Sequence, residues 1–314
     1  MKIAVAGSGA MGGRFGYMLS KTGNDVTLID QWEPHVAAIR EKGLQINLNG
    51  KDIVAKLPIF FPSEAVSKGM EFELVILFTK AMQLEGMLQA LDPIVTNKNT
   101  YVICLLNGIG HEKVIEKYVP ETNVLFGNTM WTAGLVGPGK IKLHGSGAVD
   151  LRNLHPDGKQ AALKVIEVFN EAGLSGVYTE DIHYTIYKKA CVNGTVNGLC
   201  TLLDANMNSV GSRNYGASMI RTIVGEFTAV AAAEGVNLDQ EAISAYIINA
   251  CDPDVLGLHY PSMHQDLIGQ NRLTEIDYIN GVIAKKGKEY GIPTPYCTFL
   301  TELVHCKEEI LKAT

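Results

Sequence analysis

Over the first half of the chain, short continuous apolar runs alternate with segments whose apolar residues recur every three to four positions. Lys2–Ala6, Asp25–Ile29, Leu74–Phe78, Tyr101–Leu106 and Val124–Phe126 are apolar runs of strand length. Runs of that kind suit a parallel sheet covered on both faces. The segments Ala10–Leu19, Trp32–Lys42 (with Trp32, Val36 and Ile39 at helical spacing) and Met82–Leu91 fall between them and predict helices. Residues 44–61 alternate around Asn49-Gly50, a dipeptide that favours a tight hairpin. Residues 131–154 alternate again and would extend the sheet with antiparallel strands. The β/α alternation predicts a doubly wound sheet. From about Asp181 strand signals vanish, and the spacing predicts helices over 181–203, 213–234, 238–250, 270–290 and 296–312. Ile243, Tyr246, Ile247 and Ala250 form one such stripe. The pattern divides the chain into a doubly wound α/β domain over 1–179 and an all-α domain over 180–314.

The first strand stops abruptly at Gly7-Ser8-Gly9-Ala10-Met11-Gly12 and is followed by a helix, a second strand and Asp30. Strand, G-x-G-x-x-G, helix, strand and acid together make the dinucleotide fingerprint, whereas the glycines alone would fit any strand-to-helix turn. Gly7 permits the tight turn, Gly9 lets backbone approach a pyrophosphate, and Gly12 allows helix and strand to pack closely. The phosphates belong at the helix N-terminus, where N–H groups and the dipole favour negative charge. Asp30, 18 residues past Gly12, stands where a carboxylate bonds the adenosine ribose.

Composition narrows the partners. The 314 residues are 46% hydrophobic and 19% charged, with a net charge of −6. That supplies cores for about two domains. It argues against nucleic acid, which needs a clustered cationic excess. No apolar run approaches the ~20 residues of a membrane span, and the N-terminus does not read as a signal peptide. Cys104, Cys191, Cys200, Cys251, Cys297 and Cys306 are scattered without C-x-x-C, as expected of reduced thiols in a cytoplasmic protein. The histidines show no metal-ligand spacing, so no metal is expected.

Two groups of polar residues are candidates for chemistry. Lys80 and Asn107 stand at the carboxyl ends of sheet strands, where ligands of open α/β sheets lie. Each also fits an ordinary role, Lys80 as a solvated helix-start lysine and Asn107 as a cap. Lys189, Asn193 and Asn197 are four apart and share one helical stripe among apolar neighbours. If buried they need partners, since an unpaired polar group costs about 1–3 kcal/mol. Carbonyl reduction by hydride leaves an alkoxide that needs a proton, and a buried Lys with a lowered pKa can donate one near neutral pH. Lys189 is the candidate general acid. Glu275 either holds its ammonium or is a first-turn acid following an N-cap Thr274.

The chain resembles the ketopantoate reductase family along nearly its whole length. The resemblance rests on the N-terminal Gly-x-Gly-Ala-x-Gly, Thr79-Lys80, Asn107-Gly108-x-Gly110, Lys188-Lys189-x-x-x-Asn193-x-x-x-Asn197, Ser262-Met263-x-Gln265-Asp266 and Thr274–Gly281. It implies a Rossmann domain plus a helical domain, with Lys189 as general acid and Glu275 as its carboxylate partner. On that pattern Asn193, Asn197 and Ser262 bind a 2-keto acid, while Lys80 and Asn107 line the nicotinamide side. The family commonly carries a basic residue near position 30 for NADPH. Asp30 stands there instead and would repel a 2′-phosphate, so NAD is the expected cofactor, with NADH preferred over NADPH. His259, three residues before Ser262, occupies a position where the family often has asparagine near the substrate. Asn206 and Asn208 bracket the place of a further expected asparagine.

The expected function is therefore NADH-dependent reduction of a C3-branched or bulky 2-keto acid to its D-2-hydroxy acid. The sequence looks closest to the branch of lactic acid bacteria that includes D-mandelate-type dehydrogenases. Ketopantoate reduction for pantothenate synthesis is the near alternative, and a non-catalytic dinucleotide sensor is the alternative from another class. The expected partners are a small 2-keto or 2-hydroxy acid and, through the helical domain, a second copy in a homodimer.

Overall fold

The computed structural model describes all residues, 1–314, as two compact units. Met1–Leu106 and His111–Ile182 form the first, and Asn107–Gly110 with His183–Thr314 form the second.

In the first unit, β1 (Lys2–Ala6), α1 (Ala10–Ser20) and β2 (Asp25–Ile29) form the opening βαβ, with β1 and β2 parallel in the register Lys2 to Asp25. After α2 (Glu33–Lys42), β3 (Leu44–Leu48) and β4 (Lys51–Ala55) make the expected hairpin. Its two linking residues, Asn49 (φ +51°) and Gly50 (φ +86°), both take the left-handed region that a tight type I′ turn requires. The remaining strands are β5 (Ile59–Phe60), β6 (Leu74–Leu77), β7 (Tyr101–Cys104), β8 (Val124–Thr129), β9 (Thr132–Gly137), β10 (Lys140–His144), β11 (Val149–Asn153) and β12 (Gly176–Tyr178). Eight strands form one sheet in the order β12-β11-β8-β7-β6-β1-β2-β5. Only the β8–β11 pairing is antiparallel.

The alternating segment 131–154 therefore divides. β11 extends the main sheet as expected, but β9 and β10 join β3 and β4 in a separate four-stranded sheet. Ile141 and Leu143 of β10 are buried in the same core as Leu44 and Ile46 of β3. Alternation marks one buried face and cannot say which sheet a strand joins.

The second unit contains no strand. Its long helices are α4 (Ile182–Leu203), α5 (Gly216–Ala233), α6 (Gln240–Ala250), α7 (Val282–Tyr290) and α8 (Pro295–Leu311), α3 (Lys159–Glu171) being the last helix of the first unit. The α4 helix contributes Tyr187, Ala190, Cys191, Val196, Leu199 and Cys200 to the core, against Ile223, Phe227 and Val230 of α5. On α6 the stripe holds except at Tyr246, which is exposed. Helix ends are satisfied in trans. Glu226 accepts from the backbone N–H groups of Tyr296 and Cys297, at 2.8 and 2.7 Å, at the start of α8. Lys307 Nζ donates to the carbonyls of Thr201 and Leu202 at the end of α4. Within 270–290 the helix begins only at Ile276, and Asp277–Gly281 is π-helical, as is Gln265–Gly269. No helix is long and apolar enough to cross a membrane.

Candidate active site

The three fingerprint glycines answer to three different surroundings. Gly7 has φ +90°, and a Cβ added there would lie 2.5 Å from the backbone of Phe78 and Thr79. At Gly12 it would lie 1.9 Å from the Gly7 carbonyl oxygen, so α1 packs on the turn itself. At Gly9 it would meet nothing within 4 Å. Two glycines thus serve packing, and the third leaves the approach to the α1 N-terminus open. Ala10 and Met11 begin α1, whose first N–H groups lack intrahelical acceptors. An open glycine beside unpaired amides, with a carboxylate at the end of β2, fits a dinucleotide.

Asp30 is tied to the glycine turn. Its Oδ2 accepts from the Ser8 backbone N–H at 2.6 Å and from the Ser8 hydroxyl at 2.9 Å, and its Oδ1 accepts from Trp32 N–H at 2.9 Å. The carboxylate thus seats the glycine turn. Behind it stands His35, fully buried. The Gly139 N–H donates to His35 Nδ1 at 3.0 Å, so the proton is on Nε2, which donates to the Ser8 carbonyl at 3.0 Å. The exposed Trp32 ring stacks on this imidazole, with centroids 5.3 Å apart at 12°. Sequence reasoning missed His35, whose partners Ser8 and Gly139 are 27 and 104 residues away. Lys80 is half-buried and precedes the short 3₁₀ turn Ala81–Gln83, beside the Phe78-Thr79 backbone that abuts Gly7.

In the second unit, Lys189 and Asn193 are half-buried on α4 and Asn197 is 2% exposed. The Asn197 side-chain Nδ2 is buried and has no hydrogen-bond partner in the protein. Gly194, between them, lets α4 close on α5: a Cβ there would lie 2.3 Å from Phe227 Cζ. Asn280, in the π-helical turn, donates from Nδ2 to the Gly194 carbonyl at 2.9 Å. This tie between the Glu275 segment and the Lys189 helix had no signal beyond its place in the Thr274–Gly281 motif.

Glu275 is buried, and Thr274 Oγ1 accepts from the Ile276 N–H at 3.3 Å. That bond is the one a capping Thr274 would make. Asn107 groups with this helical unit, where Ile109 N–H donates to the Tyr278 carbonyl at 3.1 Å. Ser262 and His259 are exposed. The loop before Ser262 is pinned by the Met207 N–H to the His259 carbonyl, 3.2 Å, and the Asn208 N–H to that of Gly257, 2.7 Å. Asn206 Oδ1 accepts from Ser209 N–H at 2.8 Å and Asn208 Nδ2 donates to the Cys251 carbonyl at 3.1 Å. Both asparagines are thus engaged in holding backbone.

Comparison with known proteins agrees with these two halves. A family model described as ketopantoate reductase PanE/ApbA matches residues 3–156, and its C-terminal counterpart matches 181–308. A 2-dehydropantoate 2-reductase of Lactococcus lactis subsp. lactis (strain IL1403) is 56% identical over 313 residues, covering 100% of both chains. One of Streptococcus pyogenes serotype M3 is 50% identical over 312 residues, 99% of each. Among solved structures, a ternary complex of D-mandelate dehydrogenase with NADH and anilino(oxo)acetate superposes with a TM-score of 0.97. It is 57% identical and covers 100% of both chains.

Proposed function

The chain belongs to the ketopantoate reductase family of NAD(P)-dependent oxidoreductases acting on CH–OH and keto groups, and we propose that it reduces a bulky 2-keto acid to the D-2-hydroxy acid with NADH. Membership in an enzyme family sets aside the sensor alternative. The observation that carries the proposal is the buried, unpartnered Nδ2 of Asn197, on the stripe it shares with Asn193 and Lys189. A buried donor left without a protein acceptor costs about 1–3 kcal/mol unless a ligand supplies one, and a 2-keto acid carries such acceptors.

NADH, when bound, supplies the hydride that reaches C2 of the keto acid. The Lys189 ammonium donates its proton to the oxygen that becomes the hydroxyl, and Glu275 orients that ammonium. Asn193 and Asn197 hold the keto acid by its oxygens, Ser262 adds a hydroxyl, and His259 borders its side chain. Gly7, Ser8, Gly9, Ala10, Met11 and Gly12 cradle the pyrophosphate, Asp30 accepts from the ribose, and Lys80 and Asn107 line the nicotinamide side. Residues 1–179 bind the dinucleotide, and 180–314 bind the substrate and pair two copies.

NADH rather than NADPH follows from Asp30, because a carboxylate repels a 2′-phosphate and bonds a free diol. A bulky, aryl-bearing substrate is favoured by the likeness to a D-mandelate dehydrogenase solved with an anilino-substituted oxoacetate. Ketopantoate is the second reading, favoured by the names of the Lactococcus and Streptococcus relatives. Rates with benzoylformate and with ketopantoate, each with NADH and NADPH, test both points. Faster turnover of ketopantoate selects the second substrate, and a clear NADPH preference overturns the role given to Asp30.

A further inference from the structure

One imidazole holds both sides of Glu275. Thr274, the preceding residue, donates its buried backbone N–H to Glu308 Oε1 at 2.7 Å. Asp277, two residues on, has Oδ1 2.9 Å from His305 Nε2. The same ring places Nδ1 2.8 Å from Glu308 Oε2, one turn along α8. Carboxylates only accept hydrogen bonds, so both ring nitrogens must donate, and the ring that does so is the imidazolium. A neutral ring carries one N–H and would release one of its partners. Burial alone would lower the His305 pKa, but the bonds to Asp277 and Glu308 outweigh it and raise the value above the ordinary one. Glu309 and Lys312, of opposite charge, line a cavity of about 330 Å³ with His305 and Glu308.

We propose that His305 is a positioning residue for the reduction: its imidazolium clasps Asp277 to Glu308 and so fixes the Thr274–Asp277 segment that presents Glu275. Turnover then falls as this ring loses its proton. The inference rests on the reading of Glu275 as the partner of Lys189.

The test compares kcat, KM and their pH dependence, between about pH 6 and 9, for the wild type, His305→Gln and His305→Arg. It uses NADH and whichever of benzoylformate and ketopantoate is turned over. His305→Gln is expected to lose roughly tenfold in kcat at neutral pH and to lose the wild-type dependence on this ring, with KM for NADH unchanged. His305→Arg keeps a permanently charged donor. It is expected to stay within about twofold of wild-type kcat and to carry that rate to higher pH. A wild-type rate and profile in His305→Gln overturns the proposal, as does an arginine variant no better than the glutamine one. Glu275→Gln, measured alongside, separates the two readings. If it retains turnover, the role of Glu275 itself fails. If it is inactive while His305→Gln behaves as wild type, only the clasp fails. Nitrogen NMR of the wild-type protein, free of any folding defect, should find both His305 nitrogens protonated at neutral pH, and a neutral ring there overturns the clasp.

Discussion

At the scale of single residues, Asp30 and Lys189 carry the sharpest predictions. Asp30 is bonded to Ser8 by two donors and to Trp32 by a third. Removing a charged acceptor from a partly buried set of donors costs about 2 kcal/mol or more. Asp30→Arg should therefore loosen the glycine turn as well as remove the repulsion of a 2′-phosphate. The expected outcome is a lower melting temperature and a raised KM for NADH without an efficient NADPH enzyme. An Asp30→Arg variant that uses NADPH as well as the parent uses NADH would refute this double role. Lys189→Ala should cut kcat by on the order of a thousandfold, the range of a lost general acid. NADH binding, followed by nicotinamide fluorescence, should be nearly unchanged. Surviving turnover would sink the proton-donor assignment. Sequence could name Asp30 and Lys189, because strand-end position and helical spacing are local properties. It could not name His35 or His305, whose partners come from distant segments.

At the scale of elements, the opening βαβ was legible because three spaced glycines between two apolar runs make a local pattern. The surroundings of those glycines predict opposite failures. Gly12→Ala drives a Cβ into the Gly7 carbonyl at 1.9 Å, so overpacking should lower stability by about 1–3 kcal/mol, read by denaturant unfolding. Gly9→Ala meets nothing within 4 Å, so the fold should persist while KM for NADH rises. Equal melting temperatures for the two variants would contradict this reading. The Asn49-Gly50 hairpin was legible for the same reason, since both residues adopt positive φ. The destination of β9 and β10 was not. Nor was the start of the helix at Ile276, because helical spacing extends back to 270 although the turn capped by Thr274 is where the helix begins.

For the whole molecule, two separate apolar cores, one in the sheet unit and one in the helical unit, set the stability. The helical core carries a polar knot at its margin: Glu234 accepts from Lys286, Tyr187 and Tyr290. Burial alone would raise the Glu234 carboxyl, but the bonds from Lys286 and the two tyrosines outweigh it and hold the pKa below the usual carboxylate value. A carboxyl whose folded pKa is depressed stabilises the protein above its unfolded value of roughly 4.3 and loses that contribution as pH falls through the folded value. Thermal melts should therefore drop faster below about pH 4 for the wild type than for Glu234→Gln. Parallel curves would show that Glu234 is not a source of acid lability. For His305 the sign is reversed: its raised value favours the folded state below about pH 6.5, and that contribution is lost as pH climbs through the folded value.

The π-helical turn at Asp277–Gly281 also has a consequence for chain length. Such a turn holds one residue more than an α-turn, and here it lets Asn280 reach the Gly194 carbonyl on the lysine-bearing helix. Deleting one residue from 277–281 would let the helix wind as ordinary α. Because a π-turn covers about the same rotation as an α-turn with one residue fewer, Glu275 would keep nearly its direction relative to α7. What would go is the extra residue that brings Asn280 to the Gly194 carbonyl. An alignment gap at this point would therefore identify a relative whose lysine-bearing helix is tied to this segment in another way, even where every named side chain were retained.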